Sequence, residues 1–180
     1  MTAPEYVQLK AFARIDGALL SLLFVAAFVC YVVGLTSPTY GFLALLTMVL
    51  TPVFVVMRLK RFRDDSLSGK MSFLRGWFYV SLMFFYGGLL FALLQYAYLA
   101  YIDKGYMVML ITEMLSTPEN AEIIKQMGMS DQISETLHML QTMRPIDFAL
   151  DMLTSLIMGG MMLGLPIAAV MQRKGEKIKE

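Results

Sequence analysis

Residues 76–102 read GWFYVSLMFFYGGLLFALLQYAYLAYI, 27 positions without one charged side chain. As a helix rising 1.5 Å per residue this run is about 40 Å long, more than the ~30 Å hydrocarbon core of a bilayer. It therefore predicts a transmembrane helix that tilts or protrudes. Aromatic side chains mark both of its ends, with Trp77 and Tyr79 near the start and Tyr96, Tyr98, Tyr101 and Tyr106 near the finish. Amphipathic rings collect in this way where a helix meets the two membrane surfaces.

Outward from this run, the chain has two more charge-free stretches, 17–57 and 152–172, and Thr36-Ser37-Pro38-Thr39 breaks the first of them. Four spans result: Gly17 to Leu35, Tyr40 to Met57, Gly76 to Ile102 and Met152 to Gln172. Each must satisfy its own peptide groups in lipid, and none alternates apolar and polar residues as a barrel strand does, so all four are read as helices. The expected fold is all-α: an integral membrane four-helix bundle forming one domain over 1–180, with a loop at 58–75 and a helical segment outside the membrane at 103–151. Composition agrees. Of 180 residues 58% are hydrophobic and 16% charged, against about half and a quarter in soluble domains, and the mean hydropathy is +0.63. A net charge of +1 offers no reason to invoke nucleic acid.

Orientation follows from counting Lys and Arg. Lys10, Arg14, Arg58, Lys60, Arg61, Arg63, Lys70, Arg75, Arg173, Lys174, Lys177 and Lys179 lie on one side, against Lys104, Lys125 and Arg144 on the other. The positive-inside rule then predicts cytoplasmic termini, a cytoplasmic 58–75 loop and an extracytoplasmic 103–151. The first span is expected to be uncleaved, since Glu5 and Asp16 precede it, its core exceeds a signal peptide's, and no Ala-x-Ala site follows.

The 103–151 segment carries eight acids and three bases. Thr117-Pro118-Glu119 predicts a helix start, with a stop near Gly128. Ser130 is placed to cap another helix, in which Ile133, Leu137 and Leu140 share a face. Arg144-Pro145 ends it, and the fourth long helix is expected to begin there, before its lipid-facing part. Tyr106 to Met114 is apolar enough to extend the third helix or to lie on the membrane surface. The segment is expected to pack as a cap on the bundle or on a partner.

Within the bilayer, small residues four apart allow helices to approach closely. Ala26, Cys30 and Gly34 form one such row, and Gly160 with Gly164 another. Pro52 and Pro166 free the carbonyls of Met48 and Met162, and Thr47 or Thr51 is expected to satisfy the first. The lone Cys30 allows no intrachain disulfide and reads as a packing residue.

Chemistry is sparse. No ionisable group falls deep inside a span, so a carboxylate relay for proton transport finds no support. Gln95 is the most polar side chain of the third span and is expected to hydrogen-bond across to another helix. Asp147 and Asp151 lie one turn apart on one face, which acid/base work could use, but an Asp at a helix N-terminus is expected from the dipole alone. Seventeen methionines, among them Met107, Met109, Met127, Met129, Met139 and Met143 near the single His138, raise Cu(I) binding by thioethers. Methionine is equally a flexible core filler. No catalytic, cofactor-binding or metal-ligating set is assigned.

The opening Tyr6-Val7-Gln8-Leu9-Lys10-Ala11-Phe12-Ala13-Arg14-Ile15-Asp16-Gly17 resembles a family of small bacterial membrane proteins of unknown function, above all in Lys10-Ala11, Arg14 and Asp16-Gly17. The four-span layout fits it too. The resemblance implies a bacterial inner membrane and brings no functional residue. Read from the residues alone, the same stretch is an amphipathic lead-in, with Lys10 and Arg14 at the headgroups and Asp16 near the first helix's amino end. The function expected is that of a non-enzymatic structural or interaction subunit in a lipid bilayer, as a homodimer or with a membrane-protein partner. A small transporter or lipid-handling protein, and an extracytoplasmic Cu(I) binder, are the alternatives.

Overall fold

The computed structural model describes residues 2–173, so Lys174, Lys177 and Lys179 of the charge count lie outside the described residues. Among those residues there are seven α-helices. Four are long and apolar enough to cross a membrane. Helix α1 spans Ala3–Gly34 and α2 Pro38–Arg61, with a π-helical turn, Phe62–Ser66, continuing α2. Helix α3 spans Phe73–Ala97 and runs on through a second π turn, Tyr98–Asp103. The short helices α4 (Tyr106–Leu115), α5 (Pro118–Gln126) and α6 (Ser130–Thr142) follow, and α7 (Pro145–Met171) completes the set.

The long helices outrun the charge-free stretches. Helix α1 starts at Ala3 rather than Gly17 because charges end a lipid crossing without ending a helix. The Glu5 carboxylate accepts the Thr2 amide at 2.7 Å and steadies that start. Helix α2 and its π turn absorb half of the expected 58–75 loop, leaving only residues 67–72 between helices. Asp16 consequently sits in mid-helix rather than near an amino end, which corrects the reading of that stretch.

Helix α3 is central. It packs against α1 on one side and α7 on the other, and α2 lies along the far side of α1. With no hydrophobic drive between helices in lipid, close fit must hold them. A Cβ on Gly17 would stand 2.8 Å from the Met83 carbonyl oxygen, and one on Gly87 the same distance from the Gly17 oxygen, so these backbones touch where α1 crosses α3. Beyond the crossing an aromatic ladder fills the seam. Phe24 meets Phe84 and Phe91 at 5.9 Å, and Phe28 meets Phe91 at 5.8 Å and Tyr98 at 5.4 Å.

Gly160 and Gly164 pack on Phe84, Trp77 and Val80 of α3, an intramolecular use of the small-residue row. Gly34 does the same against Gly41 at the α1–α2 turn. Both prolines stay inside continuous helices. The threonine repair takes another form: Thr51 donates to the Thr47 carbonyl at 3.1 Å and Thr47 to that of Leu43 at 2.8 Å, not to Met48. Trp77, besides marking a helix end, donates to the Met161 carbonyl of α7 at 2.9 Å.

The molecule thus has two ends. The terminal end gathers the start of α1, the π turn after α2, the 67–72 loop and the close of α7. The other end, named the cap end for its position, holds α4, α5 and α6, which pack mainly on one another and only slightly on the long helices.

Candidate functional site

At the terminal end the sequence places Asp16 on α1, Arg58 on α2 and Tyr79 on α3, and packing brings them together. Asp16 is only 2% exposed. Arg58 Nε donates to its Oδ1 at 2.7 Å, and the Arg58 Nη2 pairs with the same oxygen. The Tyr79 hydroxyl donates to Oδ2. Phe62 stacks on the Tyr79 ring at 4.7 Å and Phe12 leans on Phe62 at 5.3 Å, which shields the group from water. Both carboxylate oxygens are engaged, so Asp16 is a structural tie rather than a free base.

A second tie lies beside it. Arg63, 4% exposed, donates to Asp64 at 2.7 Å and to the Met171 carbonyl at 3.2 Å, joining the π turn to the end of α7. Met71 and Arg173 exchange backbone hydrogen bonds of 3.0 and 2.9 Å, and Arg75 meets Glu5 at 2.9 Å. Leu9, Ala13, Leu59, Phe62, Met71 and Met171 form the apolar part of this end. A buried ion pair is costly to desolvate, and removing one partner is costlier still. These ties therefore fix how the four long helices meet.

At the cap end, a cavity of about 750 Å³ opens between the ends of α3 and α7 and the helices α4 and α6. Its apolar wall includes Leu99, Met107, Val108, Leu140, Met143 and Phe148, and its polar lining includes Lys104, Thr112, Glu113 and Gln141. Asp103 shapes the floor. Its carboxylate accepts the amides of Gly105 at 3.1 Å and Met107 at 3.0 Å, satisfying the open donors at the start of α4. Lys104 and Gly105, with φ of 49° and 88°, turn the chain there through the left-handed region.

Asp147 is held by Arg144 through two 2.8 Å bonds, so it stands in an ion pair and not with Asp151, which is exposed. The Asp147 carboxylate pushes the Arg144 guanidinium further above its ordinary range. Met107, Met109 and Met143 reach the cavity at the cap end, whereas Met127, Met129, His138 and Met139 are exposed. Among the described residues no three His, Cys, Asp or Glu side chains gather as a metal set. Gln95 is buried, but its Oε1 finds no partner across the helices, contrary to expectation. It lies one turn below Leu99 on the same face of α3.

A model of a family described as proteins of unknown function, DUF4199, matches residues 15–173. The chain belongs to the DUF4199 family. The DUF4199 match takes in Asp16, Arg58 and Tyr79, the Met71–Arg173 pairing and the whole cap, and it leaves out the first turns of α1. No curated protein and no solved structure matches the chain.

Proposed function

We propose that this DUF4199 protein is a non-enzymatic, multi-pass protein of the bacterial inner membrane that serves as a structural or interaction subunit. Its termini face the cytoplasm and its cap the other side. The excess of Lys and Arg at the terminal end supports that orientation, and the likeness of the opening residues to small bacterial membrane proteins supports the compartment.

The observation that carries the reading is the unpartnered face of α2. That helix packs chiefly along α1, and its buried residues, Thr51, Val55 and Leu59, all lie in the half nearer the terminal end. Phe42, Leu45, Met48, Val49 and Val53 are left uncovered by the rest of the chain. In lipid such a face can receive another helix by close fit. Purification of the full chain in mild detergent should yield a homodimer or a complex, and Val49→Cys should cross-link it on the Cys30→Ala background. A monodisperse monomer with nothing co-purifying overturns the reading.

A second reading, lipid handling, has the cavity at the cap end in its favour.

A further inference from the structure

We infer that the cavity beneath the cap holds one acyl chain of a zwitterionic phospholipid from the surrounding bilayer, with the headgroup between Lys104 and Glu113. This rests on the lipid-handling reading and not on the subunit role.

The position of the cavity is the first argument. Leu99 and Ala100 come from the end of α3, and Pro145 and Phe148 from the start of α7, so the opening stands where two spans leave the bilayer. Tyr101 and Ile102 are exposed beside it, which continues the lipid-facing surface of α3 up to the mouth. An acyl chain entering there moves from one apolar environment to another without crossing water.

Size and lining are the second. The cavity's volume of about 750 Å³ is comparable with that of small-molecule sites, about 300–1,000 Å³, but it is open along one side, as a groove is. Of its fifteen lining residues seven are Leu, Val, Met or Phe and five are polar, Asp103, Lys104, Thr112, Glu113 and Gln141, so an apolar wall and a polar rim share one site. Three of the wall residues are the adaptable Met107, Met109 and Met143, which suit a flexible chain better than a rigid ligand.

Charge is the third. Lys104 and Glu113 both line the cavity and are exposed, and among the described residues neither forms an ion pair. Asp103 is already occupied by two amides. One free cation and one free anion match a phosphate joined to an ammonium group. A purely anionic head would face Glu113 and an acidic cap, and a purely cationic one would face Lys104.

The test uses the full chain, delipidated in mild detergent, with 1-palmitoyl-lysophosphatidylethanolamine as the probe in native mass spectrometry. One saturable equivalent should bind, about tenfold more tightly than lysophosphatidylglycerol, as expected where a charge-assisted hydrogen bond is gained. Val108→Trp and Leu140→Trp, which fill the cavity, should each abolish the equivalent, while Phe42→Trp on the open face of α2 should not. The double variant Lys104→Gln, Glu113→Gln changes only exposed groups and should erase the headgroup preference with the fold intact by circular dichroism. Unsaturable uptake, equal in the wild type and both cavity variants, overturns the site. Equal binding of the two headgroups by the wild type overturns the zwitterion assignment. Binding of a water-soluble zwitterion, glycerophosphoethanolamine, as tightly as the lysolipid shows that the acyl chain is not the ligand. A monomer that binds the probe would sink the subunit role alone.

Discussion

Asp16 and Arg58, 42 residues apart in the chain, are equidistant from Ser37 at the turn between α1 and α2, and they meet as a buried ion pair that Tyr79 completes from α3. Two antiparallel helices joined by a tight turn place such positions side by side.

Arg58→Ala would leave the Asp16 carboxylate buried without its countercharge. Because about a fifth of the Arg58 side chain is exposed, the expected loss is near the low end for such removals, about 3 kcal/mol. The double variant Asp16→Leu, Arg58→Met should recover part of it, the rest being the cost of leaving the buried Tyr79 hydroxyl without its acceptor. Thermal unfolding in detergent reads both, and a double variant no more stable than Arg58→Ala contradicts the account.

Tyr79→Phe keeps the ring stacked on Phe62 and removes only the hydroxyl. A hydrogen bond to a charged group contributes roughly 1.5–3 kcal/mol, so the melting temperature should fall less than with Arg58→Ala. An unchanged melting temperature would show that the hydroxyl does not hold the carboxylate.

Gly17→Leu should prise α1 from α3, since even a Cβ at that position would meet backbone and Cβ atoms within 3.0 Å. Gly159→Ala, with nothing within 4 Å of the added Cβ, should instead gain roughly 0.5–1 kcal/mol from helix propensity. Opposite shifts of the unfolding midpoint are expected, and equal shifts would contradict the crossing.

Lys70→Cys and Gln126→Cys, each on the Cys30→Ala background, should label from opposite faces of the membrane. Intact cells should expose only Cys at 126 to an impermeant maleimide, and the reverse pattern inverts the proposed orientation.

Much of this architecture was legible in the residues because lipid imposes strict rules. Runs free of charge marked all four long helices, Pro118 and Pro145 marked the starts of α5 and α7, and Ile133, Leu137 and Leu140 do share a half-buried face. Helix ends were less legible, since Lys10, Arg14 and Lys60 stop a lipid crossing but favour continued helix in water. Asp16 lies in mid-helix for that reason. Its symmetry with Arg58 about Ser37 was the available signal. Tyr79 stands where an interfacial ring would, and nothing local distinguishes that role from a hydroxyl turned to a partner on another helix. The cavity depends on how α4 folds back after Lys104 and Gly105, a tertiary outcome that no periodicity records.

The ties that join all four long helices lie at one end of the molecule, whereas α2 buries no residue between Pro38 and Leu50. The first half of α2 is therefore held chiefly through α1, by the tight turn and the Gly34–Gly41 contact, and it turns the widest apolar surface of that helix outward.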